Sequence, residues 1–197
     1  MHRRELAYQE RAIRRVEATA PPMSTRTSWA LKKPWRYSDR STDVLSRPAE
    51  EFENDQTLEA MWAMKAFEHA EIYFNILCSV DPRLLKLTPV DDTIYKIFRE
   101  EFPTLDVRII NEDELKSGKG KAKWRPFCER FKKVVEDYSY GTLLRADASK
   151  DYTQENSMLV TRIQFYAVEL ARNREGVNDD IRWKFRPKPE ESETKDV

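Results

Sequence analysis

Apolar side chains recur at Trp62, Ala66, His69, Tyr73, Ile76 and Val80, in steps of four and three, and Met61, Met64, Phe67, Phe74 and Cys78 widen that face. A stripe of this period and width belongs to an amphipathic helix with its apolar side on a core. It predicts a helix that begins near Asp55 or Thr57, stops at Asp81-Pro82 and occupies the centre of the fold. Every later element must find a place against it.

Thr88-Pro89 offers an N-cap followed by proline at the first helical position, and VDDTIYKIFREEF then turns Ile94, Ile97 and Phe98 inward until Pro103 ends it. TLDVRII alternates Leu105, Val107 and Ile109, the two-residue period of a half-buried strand. Asn111 with Glu114 resembles a capping box that opens a short helix. Lys116 to Lys123, KSGKGKAK, reads as a basic, glycine-containing loop, followed by an amphipathic helix through Trp124, Phe127, Cys128, Phe131, Val134, Val135 and Tyr138. YGTLLRAD predicts a second strand opened by Gly141. Thr153 is the expected cap of a long final helix whose buried side carries Leu159, Ile163, Tyr166, Ala167 and Leu170, with Gly176 as its stop. The expected fold is α+β and predominantly helical, about five helices packed with a minimal two-stranded β-sheet. No internal repeat interrupts this order.

Residues 1–50 read as a poorly ordered basic arm, because from Thr19 to Glu50 there are Pro, Ser, Thr and Arg but no sustained period. Trp29, Trp35 and Tyr37 lie in that arm. Residues 51–177 form the helical domain, and 178–197 read as a disordered charged tail. The chain has 197 residues and 22 aromatic side chains, enough for one domain with its own core. Lys+Arg and Asp+Glu are equal at 35 each, which excludes the strongly basic balance usual in a general nucleic-acid binder. Residues 51–176 carry 19 basic and 23 acidic groups, a mildly acidic body that favours a basic partner only weakly once salt screens it. Two cysteines, Cys78 and Cys128, fall on apolar helix faces and act as small hydrophobes. With no apolar signal core and no long apolar run, the expectation is a reduced, soluble, cytoplasmic protein without a membrane span. Glu5, Glu10 and Glu17 break the acid-poor pattern of a mitochondrial leader.

Catalysis finds few candidates. A nucleophile needs a base beside it, and only His2 and His69 exist; His69 lies on the apolar stripe, where a satisfied buried imidazole is the expected role. Two cysteines fifty residues apart give no zinc set. Asp91-Asp92, Glu112-Asp113-Glu114 and Asp179-Asp180 sit at helix starts or in loops, where acids complement the helix dipole. Four glycines do not make a phosphate-cradling loop, and GKGK lacks the Walker spacing. No enzyme, metal or cofactor is expected.

What remains is an aromatic and guanidinium set: Trp124, Arg125, Phe127, Tyr138, Tyr140, Arg145, Arg162, Arg172 and Arg174. On the final helix Arg162, Phe165, Glu169 and Arg172 follow at three or four residues and are expected opposite the buried stripe, with Phe165 facing water. Such a strip suits the centre of a protein interface, which favours aromatics and Arg. It equally suits a solvated face held by pairs such as Glu169 with Arg172, and spacing leaves both open. The expected partner-binding residues are Trp124, Arg125, Phe127, Tyr140, Arg145, Arg162, Phe165, Glu169, Arg172 and Arg174. Some of these must be core, Trp124 and Phe127 first.

The blocks MWAMKAFEHAEIYF, SVDPRLLKLTPVDDTIYKIFREEFPTLDV, KWRPFCERF, VEDYSYGTLLRAD and YTQENSMLVTRIQFYAVELARNREG, in this order, resemble the polysaccharide biosynthesis domain-containing protein 1 family of eukaryotes. The resemblance covers about residues 54–177. It implies a non-catalytic chaperone that captures newly synthesised translation elongation factor 1-alpha at its GTP-binding domain, at or near the ribosome, and releases it on nucleotide-driven folding. The alternative is an enzyme or accessory factor of polysaccharide biosynthesis, as the family label suggests, although the donor-nucleotide loop such an enzyme needs is missing. A third possibility is an RNA-associated factor using Lys116 to Lys123 and the Arg-rich arm; zero net charge and the lack of an RNA module argue against a specific nucleic-acid partner.

Overall fold

The computed structural model describes residues 56–185, with side chains from Met61 onward. Among the described residues the chain forms helix α1 (Gln56–Ser79), a 3₁₀ turn (Pro82–Leu84), α2 (Asp91–Glu101), α3 (Glu112–Lys116), α4 (Gly118–Arg130), strand β1 (Gly141–Arg145), β2 (Ser157–Thr161), α5 (Arg162–Arg174) and α6 (Ile181–Lys184). The class is α+β and mostly helical, as expected. The basic arm 1–50, with Trp29, Trp35 and Tyr37, and the tail beyond 185 lie outside the described residues. The domain itself reaches past the expected boundary at 177: Asn178 and Ile181 are buried, and α6 adds a sixth helix.

α1 is central, but its buried side is rotated from the expected stripe. Ala63, Ala66, Ala70, Tyr73, Phe74, Leu77 and Cys78 face the core, whereas Met64, Ile72, Ile76 and Val80 are exposed. Three alanines on one side let the helix backbone approach β1 closely, and that proximity decides which side goes inward. α2 starts later than Thr88-Pro89 suggested. The buried carboxylate of Asp91 accepts from the Leu87 and Thr88 N–H groups at 2.8 and 2.7 Å and from the Thr88 hydroxyl at 2.7 Å, tying the preceding loop to the first turn. At its far end Arg99 holds Glu175 through Nε and Nη2 at 2.6 and 2.7 Å, which fixes α2 beside α5.

The expected basic loop 116–123 is helical except at Ser117, which separates α3 from α4. Ser117 caps α4 by accepting from Gly120 N–H at 2.9 Å, and Gly120 must lack a side chain because a Cβ there would lie 2.3 Å from the Glu114 carbonyl oxygen. Trp124 and Phe127 anchor the helix in an aromatic stack with Phe98 and Phe102; the Trp124 and Phe102 centroids are 4.2 Å apart. That gain in apolar burial outweighs two glycines in the first turn.

The sheet has two antiparallel strands, one of them unexpected. β1 pairs with β2 in the register Gly141 to Thr161, Leu143 to Leu159 and Arg145 to Ser157. The segment TLDVRII makes only one bridge, Ile109 to Asp147, with Val107 and Ile110 buried and Ile109 exposed. Its alternation fails because the Val107 carbonyl accepts from Arg172 Nε at 2.7 Å instead of joining a ladder. Nor does Thr153 open the final helix: residues 157–161 extend as β2, and α5 begins directly at its end. There Gln164 Oε1 accepts from the Thr161 N–H and hydroxyl at 3.0 and 2.9 Å, and the Arg162 and Ile163 N–H groups donate to the carbonyls of Tyr140 and Tyr138. Gly176 is the stop it was expected to be. Its φ of +76° allows the Val177 N–H to return to the Arg172 carbonyl at 2.8 Å, closing the last turn.

α5 is buried around almost its whole girth, and its supposed outer face carries the charged centre of the molecule. Arg145, Glu169 and Arg172 are fully buried. Glu169 Oε1 accepts from Arg172 Nη1 at 2.6 Å; Oε2 accepts from the Tyr73 hydroxyl at 2.9 Å, Asn178 Nδ2 at 3.0 Å and Arg145 Nη2 at 3.3 Å. Of the other guanidinium donors, Arg145 Nη1 goes to the Ala148 carbonyl at 2.7 Å and Nη2 to Asn178 Oδ1 at 2.8 Å, Arg172 goes to the carbonyls of Val107 at 2.7 Å and Arg145 at 2.9 Å, and Arg145 Nε has no hydrogen-bond partner. Arg145 also lies over the rings of Phe74 and Tyr152, at 5.6 and 5.8 Å. Burial alone would raise the Glu169 carboxyl, but the two guanidinium charges and the donors of Asn178 and Arg172 hold it down at about 2.

Glu169→Gln leaves two cations buried with no counter-charge and should cost about 3–5 kcal/mol in urea unfolding. In the wild type the carboxylate contributes stability in full above its unfolded value near 4.5 and loses it as pH falls toward 2, so the urea midpoint should drop steeply through that window. Asp147, held at about 2 mainly by Ser149, titrates there too; Asp147→Asn should keep most of the drop.

Candidate functional site

Six of the ten expected partner-binding residues are inside the molecule. Trp124 and Phe127 belong to the aromatic stack, and Arg145, Glu169 and Arg172 form the buried charged centre. Phe165, expected in water, is 1% exposed and packs edge-on against His69 and Tyr73, each at 5.1 Å. The cause is shared: α5 is enclosed by α1, α2 and the sheet, so it has no broad solvent face to offer. Arg125, Tyr140, Arg162 and Arg174 do reach the surface, but only Tyr140 and Arg162 adjoin each other. Arg125 projects from α4, and Arg174 is drawn toward α2 by Asp92 at 2.6 Å and lies over the Tyr95 ring at 4.9 Å.

Tyr140 and Arg162 meet α1. The Arg162 guanidinium stacks on the Tyr140 ring at 4.9 Å, and Trp62 lies 6.4 Å from the same ring. Asp137, at a φ of +51°, shapes the turn that presents Tyr140 and pairs with Arg162 Nη1 at 3.4 Å. Trp62, His69 and Ile76 are seven residues apart, two helical turns each, and therefore line one flank of α1, with Ile72 beside them toward water. The strip so formed is aromatic at one end and aliphatic at the other.

The buried polar atoms within it that have no hydrogen-bond partner include His69 Nδ1 and Arg162 Nε. Burial first and the Arg162 charge second push the His69 imidazole below its usual range, which leaves it neutral at pH 7. It is thus not the satisfied core histidine expected from the stripe. Cys78 and Cys128 are free thiols raised to about 11 by burial, inert at neutral pH. Among the described residues no group of three or more His, Cys, Asp or Glu side chains is placed to hold a metal ion, and no helix is long and apolar enough to cross a membrane.

Trp62, His69, Ile72 and Ile76 escaped sequence reasoning because Trp62, His69 and Ile76 were assigned to the core stripe. The competing pattern Ala63, Ala66, Ala70 and Leu77, at steps of three, four and seven, was the signal for the opposite assignment.

The described domain coincides with known proteins. The family model described as PBDC1 protein matches residues 58–183. Protein PBDC1 of Mus musculus is 54% identical over 138 residues, 70% of either chain; the human protein is equally identical, with 59% of its length covered. The homologue from Schizosaccharomyces pombe is 46% identical over 138 residues, covering 68% of this chain and 94% of its own. A solution NMR structure of a Saccharomyces cerevisiae protein, 43% identical, superposes with a TM-score of 0.63 over 70% of this chain and 97% of that one. The resemblance drawn from the sequence blocks is therefore borne out, and the chain belongs to the PBDC1 family.

Proposed function

We propose that this protein is a non-catalytic chaperone that captures newly synthesised translation elongation factor 1-alpha through its GTP-binding domain and releases it when nucleotide completes folding. The client follows from the family resemblance. The observation that carries the mode of action is the strip along α1, where Trp62, Ile72 and Ile76 remain at the surface beside Tyr140 and Arg162. An incompletely folded domain presents apolar segments and unpaired main-chain carbonyls. The aliphatic end of the strip takes the former, and the part-exposed Arg162 guanidinium takes a carbonyl from the latter. Release needs no chemistry: once the client buries the contacted segment, its affinity for the strip falls and the equilibrium shifts. Function in the cytoplasm, close to the ribosome where the client emerges, is part of the same proposal.

Of the residues first chosen, Tyr140 and Arg162 stay in the proposed contact surface, and the buried ones support it from below. Phe165 backs His69, and the Arg145–Glu169–Arg172 centre fixes α5 beneath the strip.

The test is capture of tagged, newly translated elongation factor 1-alpha from a translating lysate by the full chain. Ile72→Asp with Ile76→Asp changes exposed side chains only and should reduce capture by about 30-fold, the scale of losing about 2 kcal/mol at an interface centre. Arg162→Ala should weaken it in the same direction, and GTP should elute the client. Capture unchanged by both variants would sink the surface; specific binding of a nucleotide sugar or a methyl donor would sink the non-catalytic assignment.

A further inference from the structure

Charge is unevenly distributed over the described fold. Residues 116–133 carry eight basic side chains and one acid, Glu129, whereas the rest of residues 56–185 carries 13 basic and 21 acidic groups. This basic stretch is α4 with the turns at either end. Trp124, Phe127 and Phe131 face the core, and helical periodicity then divides the exposed cations into two rows. Lys119, Lys123 and Arg130 follow one edge of the buried side and Lys121 and Arg125 the other, while the exposed Lys132 and Lys133 lie in the turn past the end of the helix. Between the rows the outer face holds Ala122, Pro126 and Glu129. Arg130 pairs with Glu101 at 3.1 Å and Lys123 covers the Phe102 ring at 4.7 Å; Lys119, Lys121, Arg125 and Lys132 make no ion pair among the described residues. Holding so many like charges on one short helix is unfavourable unless an anion offsets it.

We propose that the outer face of α4 binds the phosphate backbone of base-paired RNA without reading its sequence. The face carries no exposed aromatic ring, which removes the stacking platform that single strands need. Nor does it carry a large aliphatic side chain between the rows, so it has neither the wedge of a membrane-surface helix nor the anchor of a peptide groove. Half of α4 is sunk in the protein, so it cannot enter a deep groove as a recognition helix. A shallow, wide minor groove bordered by phosphates, as in A-form RNA, is what a half-buried helix with cations at both edges can straddle. Cations four residues apart stand about 6 Å apart along the axis and can meet successive phosphates.

This site is separate from the α1 strip and is tested without the client. Fluorescence anisotropy with a labelled 20-base-pair RNA hairpin and the full chain should show binding at low salt. With phosphate contacts from the four cations that make no ion pair or ring contact, Lys119, Lys121, Arg125 and Lys132, affinity should fall about 100-fold between roughly 50 and 200 mM KCl. Lys121→Glu with Arg125→Glu and Lys132→Glu, which alters exposed, unpaired side chains and should leave the far-UV circular dichroism unchanged, should weaken binding more than about tenfold. The same charge change made outside α4, at Lys86, Lys96 and Arg182, should weaken it far less. Equal loss in both triple variants, equal affinity for a DNA duplex of the same length, or displacement of the RNA by poly-glutamate at matched charge would overturn the proposal.

Discussion

A carboxylate cannot be buried at Glu169 unless its charge is answered on the spot, and that requirement organises the molecule. Its partners come from four segments of the fold: Tyr73 from α1, Arg145 from the end of β1, Arg172 from its own helix and Asn178 from the segment after α5. Through the guanidinium groups the same centre reaches the carbonyls of Val107, Arg145 and Ala148. Two cations against one anion leave an excess positive charge, which the carbonyl oxygens and Asn178 Oδ1 absorb by hydrogen bonding. Displacing any one segment strands a charge in a medium that cannot solvate it. Such a centre adds less net stability than a hydrophobic core of equal volume, but it penalises every arrangement in which the strands, α1 and α5 meet in another register.

A second, purely apolar centre lies between α2 and α4, where Phe98, Phe102, Trp124 and Phe127 stack. Because the aromatic anchors of α4 all point into it, the outer side of that helix is left to lysine and arginine. On α1 the opposite happens: alanines take the close contact with β1, and larger apolar side chains are pushed to the flank. The two exposed surfaces thus have one origin, in that each is what remains after a buried centre has taken the side chains that fit it. The aliphatic strip suits an incompletely folded polypeptide, the cationic rows a polyanion.

Where local chemistry decides structure, the sequence was legible. Gly176 ends α5 since only a residue tolerant of positive φ lets the Val177 N–H return to the helix, and Asn111 opens its helix by accepting from the Glu114 N–H. β1 was recognisable from YGTLLRAD. Its partner was not, because SMLVT continues into RIQFYAVEL without a break, and nothing local distinguishes the last residues of a strand from the first turn of a helix that begins at its end. The rotation of α1 was misread for a related reason: Trp62 and Ile76 are larger than Ala63 and Ala70, and residue size was taken as burial, although close helix–sheet packing selects the small residues. The α5 surface failed most completely, since Arg, Glu and Arg at three-residue steps look the same whether water or a second guanidinium answers the charge.

By itself, then, the amino-acid sequence determined the number and order of most helices, the α+β class, the cap at Asn111 and the stop at Gly176, and membership of the PBDC1 family, all of which depend on neighbours within a few residues or on blocks in a fixed order. Which side of each helix is inside, which strand pairs with β1, and whether Arg145, Glu169 and Arg172 serve a partner or the core were decided only in three dimensions. These depend on desolvation, and the loss of water around a side chain is a property of everything packed against it, not of the residues beside it in the chain.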